Sequence, residues 1–139
     1  MAKMTVVLLG MDSVIQNEDD KAAAAITPGM LVAYNGSGDL VPHATAAGAA
    51  SRMFALEREE AGGDFDDLYA IGDTVKVGYC PPGVRIAALI GVVNATKGAF
   101  LESDGTGKLR LLTTTNPVAQ ALEALNNAAG VARLRVQII

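Results

Sequence analysis

Gly72-Asp73-Thr74-Val75-Lys76-Val77-Gly78-Tyr79-Cys80-Pro81-Pro82-Gly83-Val84-Arg85-Ile86 is the stretch that decides how this chain folds. Val75, Val77 and Tyr79 alternate with Thr74, Lys76 and Gly78. That period of two turns one face of a strand to a core and the other to solvent. Pro81-Pro82-Gly83 then forces a turn, because proline presets φ and glycine enters the left-handed region without a Cβ clash. Residues 84–93 are apolar apart from Arg85, which predicts a strand buried on both faces. The same device, a glycine bend ahead of an apolar run, recurs at Gly29-Met30-Leu31-Val32 and Gly98-Ala99-Phe100-Leu101. Short runs divided by turn chemistry predict an all-β fold, either a small barrel or a jelly-roll-like β-sandwich.

Upstream, Thr27-Pro28-Gly29 predicts a turn and residues 30–34 a strand. Asn35-Gly36-Ser37-Gly38-Asp39 predicts a hairpin loop that returns through Leu40-Val41. Residues 53–57 form a further short strand candidate. Residues 57–67, charged and divided by Gly62-Gly63, read as a solvated loop. Downstream, Ser103-Asp104-Gly105-Thr106-Gly107 joins 100–102 to 109–112 as a second hairpin. The period then changes. Asn116 can cap a helix, Pro117 suits its first position, and Val118, Ala121, Leu122 and Leu125 fall at i, i+3, i+4 and i+7. One short C-terminal helix is predicted there, ended by Asn126-Asn127 and Gly130. Residues 131–139 return to alternation, with Leu134, Val136 and Ile138 on one face and Arg133, Arg135 and Gln137 on the other. Residues 1–25 stand apart as an N-terminal arm, or as a first strand plus linker, ahead of a barrel or sandwich domain at 26–139.

The chain has 139 residues, enough for one domain with a modest core. It is 50% hydrophobic and 19% charged, which excludes a disordered chain. With no Trp, three Phe and three Tyr, the core must be built from aliphatic and small side chains. A core this lean draws stability from partner contacts. The formal net charge is −4, and eleven basic residues are scattered among fifteen acids with no cluster beyond Arg133 and Arg135. Gripping nucleic acid needs a dense cationic footprint, so no nucleic-acid partner is expected. The single cysteine, Cys80, rules out an intramolecular disulfide and a Cys-rich zinc site. The apolar run 5–11 is too short to span a bilayer, so no membrane partner is expected and the protein reads as soluble and made in a cytoplasm.

Reaction chemistry is thinly represented. His43 is the one histidine and follows Pro42 at a strand end, with no Gly-x-Ser-x-Gly elbow anywhere, so it reads as a surface or interface residue. A small hydrolase would have to pair it with an acid from 64–67. Asp64, Asp66 and Asp67 lack the alternating spacing and closing Glu of a calcium loop and read as a solvated acidic turn. Gly105-Thr106-Gly107-Lys108 resembles part of a phosphate loop, but Glu102 stands where its first glycine belongs and Leu109 where its Ser/Thr belongs. A β-turn is the expectation. Cys80 has no basic neighbour in sequence and reads as a small buried hydrophobe. No catalytic residue, cofactor or metal is expected.

Taken in order, Ala25-Ile26-Thr27-Pro28-Gly29-Met30-Leu31-Val32, Leu40-Val41-Pro42-His43, Phe54-Ala55-Leu56-Glu57, Asp66-Asp67-Leu68-Tyr69-Ala70-Ile71-Gly72-Asp73-Thr74-Val75, Lys97-Gly98-Ala99-Phe100-Leu101, Ala119-Gln120-Ala121-Leu122-Glu123-Ala124-Leu125 and Arg133-Leu134-Arg135-Val136 resemble the small capsid decoration, or cement, proteins of tailed bacteriophages. The resemblance spans the chain from about Ile26 and is carried by the ordered set, with no single specific motif. It implies a compact barrel or jelly-roll-like body on the capsid exterior of a virion that bridges major capsid protein subunits. It implies self-association as a homotrimer ahead of a dimer, and no catalytic residues. The N-terminal arm would grip the shell or an adjacent copy, with Thr5, Val6, Val7, Leu8, Leu9, Met11, Val14 and Ile15 as partner-binding residues. The rival reading is a bacterial β-barrel ligand-binding or adaptor domain.

Overall fold

The computed structural model describes residues 6–58, 67–91, 93–113, 115–127 and 131–139. Among them run the strands β1 (Val7–Leu9), β2 (Ile15–Lys21), β3 (Val32–Tyr34), β4 (Leu40–Pro42), β5 (Met53–Ala55), β6 (Thr74–Tyr79), β7 (Arg85–Ile90), β8 (Val93–Ala95), β9 (Phe100–Ser103), β10 (Leu109–Leu111), β11 (Ala119–Ala121), β12 (Leu125–Asn127) and β13 (Ala132–Ile138). The fold is all-β.

β7, β10, β9, β11 and β13 pair in a closed circuit, a five-strand barrel, and β1 is appended to β7. β13 and β7 carry the longest pairing, from Ala132↔Ile90 to Gln137↔Arg85. Leu134, Val136 and Ile138 point into the barrel, as their alternation predicts. The circuit closes at a single parallel contact, Leu109 beside Ile90. The other edge of β7 is satisfied by three different segments in turn. Ala87 N–H donates to Val6 O, Leu89 N–H to Gly29 O and Gly91 N–H to Leu109 O. Residues 86–90 are all buried, so both faces of the strand are covered, which fits a run without polar positions.

A second circuit surrounds a smaller core of Ile26, Val32, Leu40, Val75 and Val77. β2, β6 and β5 form a sheet, Phe54 bridges to Leu31, β3 and β4 form the predicted hairpin, and Leu40 bridges back to Ala22. Asn35 Oδ1 holds the hairpin loop by accepting the N–H groups of Ser37 and Asp39. The β5–β6 sheet is a wall shared by both cores. Along it Phe54 and Leu56 enter the barrel core, while Met53 and Ala55 face the smaller one. The short segment 53–56 thereby feeds both cores from alternate positions.

The C-terminal helix does not form. Ala119–Ala121 is instead strand β11, set between β9 and β13, with Ala119 opposite both Leu101 and Ile138. Leu125–Asn127 is strand β12, paired with β8. A nine-residue helix is marginal alone, and the barrel cannot close without a strand in that place, so pairing overrides the helical period. Among the described residues the one helical element is the 3-10 turn Met11–Ser13.

Residues read as an arm, or as a first strand plus linker, are strand-paired over much of their length. β1 lies against β7 and β2 against β6.

Candidate functional site

The eight partner-binding residues expected at the N-terminus divide sharply. Thr5 lies outside the described residues. Val6, Val7 and Val14 are buried in the barrel core. The Val6 N–H donates to the carboxylate of Glu57, itself buried, at 3.0 Å. Leu8, Leu9, Met11 and Ile15 are exposed, Leu9 at 56% and Ile15 at 68%. The segment therefore anchors itself with valines and presents larger apolar groups outward.

Ile15 sits directly opposite Tyr79 of β6, which is also exposed. Alternation assigns Tyr79 to the buried face with Val75 and Val77. It does share their face, but β6 outruns the smaller core, so the last residue of the row stands in solvent. Burial length is a tertiary property that the period does not carry.

The opposite end of β6 carries a second apolar point. Leu68 is 59% exposed and Ile71 is 74% exposed. Both flank Tyr69, whose backbone bridges to Ile26 and whose hydroxyl donates to Leu56 O at 2.6 Å. The turn that holds Ile71 is tied by Asp73 N–H to Ala70 O and by Ala70 N–H to the Asp73 carboxylate. Ile71 is thus held out on a braced turn. The six residues of β6 separate the two apolar points by about 20 Å at roughly 3.3 Å per residue.

Three other features bear on chemistry. His43 is buried, not on the surface as its position after Pro42 suggests. Its Nε2–H donates to Ala49 O at 3.0 Å, a carbonyl that can only accept, so Nδ1 takes the Ser103 hydroxyl at 2.7 Å. Its backbone also joins Leu31 and Gly107, which makes it a tie between the hairpin and the barrel. Of the acids a hydrolase would pair with it, Asp64 and Asp66 lie outside the described residues, and Asp67 is exposed. Gly105-Thr106-Gly107-Lys108 is the expected turn, with Asp104 N–H donating to Lys108 O. Cys80 is buried as expected, and burial pushes its thiol up to about 12.

Glu102 went unnoticed in the sequence as a structural group. It is fully buried and accepts from Arg110 Nε at 2.8 Å and from the N–H and hydroxyl of Thr113. Arg110 lines a shallow groove of about 400 Å³ with Asn94, Asn126 and Leu111. Among the described residues no group of three or more His, Cys, Asp or Glu side chains could hold a metal ion. No helix there is long and apolar enough to cross a membrane.

Compared with protein-family models and with curated proteins, the chain matches none.

Proposed function

We propose that this chain is a capsid decoration protein, one that binds the outer surface of an icosahedral phage head and bridges major capsid protein subunits against internal DNA pressure. The observation that carries this reading is the pair of exposed apolar points at opposite ends of β6, Ile15 with Tyr79 at one and Leu68 with Ile71 at the other. A braced body with adhesive groups at two separated ends can contact two neighbours at once. Bridging contributes binding energy only where the lattice is intact, so it stabilises that state by mass action. Repetition over a symmetric shell multiplies modest contacts through avidity. The ordered segments that resemble tailed-phage cement proteins support the same reading, and an acidic body suits a protein kept off the packaged nucleic acid. The test is addition of the purified protein to expanded heads. Co-sedimentation at micromolar concentration and a raised head-disruption temperature are expected, and protein left in the supernatant contradicts the proposal.

A second reading, a ligand-binding or adaptor β-barrel, is favoured by the groove in which buried Glu102 orients Arg110 beside Asn94 and Asn126. Convergent polar groups over an apolar floor are the pattern of a small-molecule site. Arg110→Ala that leaves head binding intact while abolishing binding of a small anionic or amide ligand would favour this reading.

A further inference from the structure

The exposed leucines of β1 do not stand alone. Leu8 and Leu9 line a groove of about 440 Å³ with Leu122, and its rim carries Arg85, Lys97 and Arg135. Arg85 holds its place through Nε to Gln137 Oε1, and Arg135 through Nε to Glu123 at 3.3 Å. Glu123 offsets one of the three cations, so the rim keeps a positive excess on a chain whose net charge is −4. β1 stands last in its sheet.

The same molecule carries the complement. β2 is also last in its sheet and reads Ile15-Gln16-Asn17-Glu18-Asp19-Asp20-Lys21. It opens with the exposed Ile15 and then presents Glu18 and Asp19 to solvent. Glu18 lies 4.0 Å from Lys76 with half its side chain exposed, a pairing too wide and too wet to hold it. Asp20 is engaged by the Tyr34 hydroxyl at 2.7 Å, which leaves Glu18 and Asp19 as the presented anions. An apolar plug followed within about 10–13 Å by two anions matches a leucine floor with a cationic rim.

We infer that the Leu8–Leu9–Leu122 groove receives strand β2 of a second copy of this chain, Ile15 on the leucine floor and Glu18 and Asp19 against Arg85, Lys97 and Arg135. This rests on the decoration reading: the Ile15 end joins neighbouring copies, the Leu68 and Ile71 end of each copy meets the shell, and the linked copies together bridge its subunits. The contact joins two different surfaces, so it closes either a ring or, made twice, a two-fold pair.

Two copies of an acidic protein repel each other overall, and this gives the salt dependence a decisive sign. Sedimentation velocity on the full chain should show a species larger than one chain at about 0.05 M NaCl, weakening at about 0.5 M, where the Debye length falls to a few ångströms. Arg85→Glu with Arg135→Glu should weaken association about tenfold or more, as should Glu18→Lys with Asp19→Lys. All four substitutions in one chain should restore it to within a few-fold, because each contact again joins opposite charges. A monomeric wild type, association that strengthens with salt, single-side reversals without effect, or a four-fold variant no better than either pair would each overturn the inference. The salt arm needs no variant, so misfolding of a mutant cannot obscure the answer. Heads are absent from the assay. A failure here leaves shell binding standing, and an oligomer that ignores heads leaves this inference standing.

Discussion

The carboxylate of Glu57 accepts the backbone N–H of Val6 across 51 residues of chain, at 3.0 Å and out of contact with water. This bond fixes where the N-terminal segment begins to follow β7, since Val6 O in turn accepts Ala87 N–H at 2.7 Å. Removing the acceptor strands a buried donor. Glu57→Ala should cost about 1–3 kcal/mol by urea unfolding and speed amide exchange in β1, whereas Glu57→Gln, which keeps a carbonyl oxygen there, should cost less than half as much. Equal effects of the two, or none, would show that the bond does not hold the segment.

Gly29 is one of the points where the smaller circuit touches the barrel. Its φ is +95°, its carbonyl accepts Leu89 N–H, and a Cβ there would lie 2.9 Å from Ala87 O and 2.5 Å from Arg133 Nη1. The arginine can swing aside but the carbonyl cannot. Gly29→Ala should destabilise the protein by about 2–3 kcal/mol through backbone strain and the clash with the Ala87 carbonyl. Gly72, also at positive φ but with nothing within 4 Å of its Cβ site, should cost about 1 kcal/mol on the same change. Thermal melts of both variants make the comparison.

Cys80 gives the fold an alkaline signature. Burial lifts its thiol from 9.0 to about 12. The unfolded chain therefore releases this proton first as pH rises. The stability linked to the neutral thiol is complete below pH 9, declines above it, and is lost by about pH 12. Unfolding free energy measured between pH 8 and 10.5 should fall more steeply in the wild type than in Cys80→Ala. In the native protein at neutral pH, labelling by a thiol reagent should be slower than in urea-unfolded chain by at least about a hundredfold.

Where residues answer to a local rule, the fold was legible in the sequence. The β3–β4 hairpin follows from Asn35 to Asp39, and the last strand from the alternation of Leu134, Val136 and Ile138. β11 was hidden because Val118, Ala121, Leu122 and Leu125 fit a helical stripe, and only the vacancy between β9 and β13 makes a strand of Ala119–Ala121. Among the residues expected to bind a partner, the sequence does not separate the buried Val6, Val7 and Val14 from the exposed Leu8, Leu9, Met11 and Ile15. That division depends on which edge of β7 the segment meets. Leu68 and Ile71 had no distinguishing signal, because an apolar residue beside a strand reads as core until its neighbours are known. The burial of His43 depends on Ser103 arriving from 60 residues away, whereas Glu102 meets Arg110 directly across the β9–β10 hairpin and Thr113 just beyond it.

In the proposed function, a braced two-ended body holds a shell together through its exposed apolar points. Burial of Ile71 and Leu68 against a shell would contribute about 1.5–3 kcal/mol each, roughly tenfold to a hundredfold in affinity per residue. Both are mostly exposed, so Leu68→Ser with Ile71→Ser should leave the protein's own stability within about 0.5 kcal/mol per substitution. The direct measurement titrates wild type and this double variant onto expanded heads and reads both the bound fraction and the head-disruption temperature. Wild type should bind at micromolar concentration and raise that temperature, and the double variant should bind at least about tenfold more weakly. Heads that disrupt at the same temperature with and without wild-type protein, or a double variant that binds as well as wild type, would contradict it.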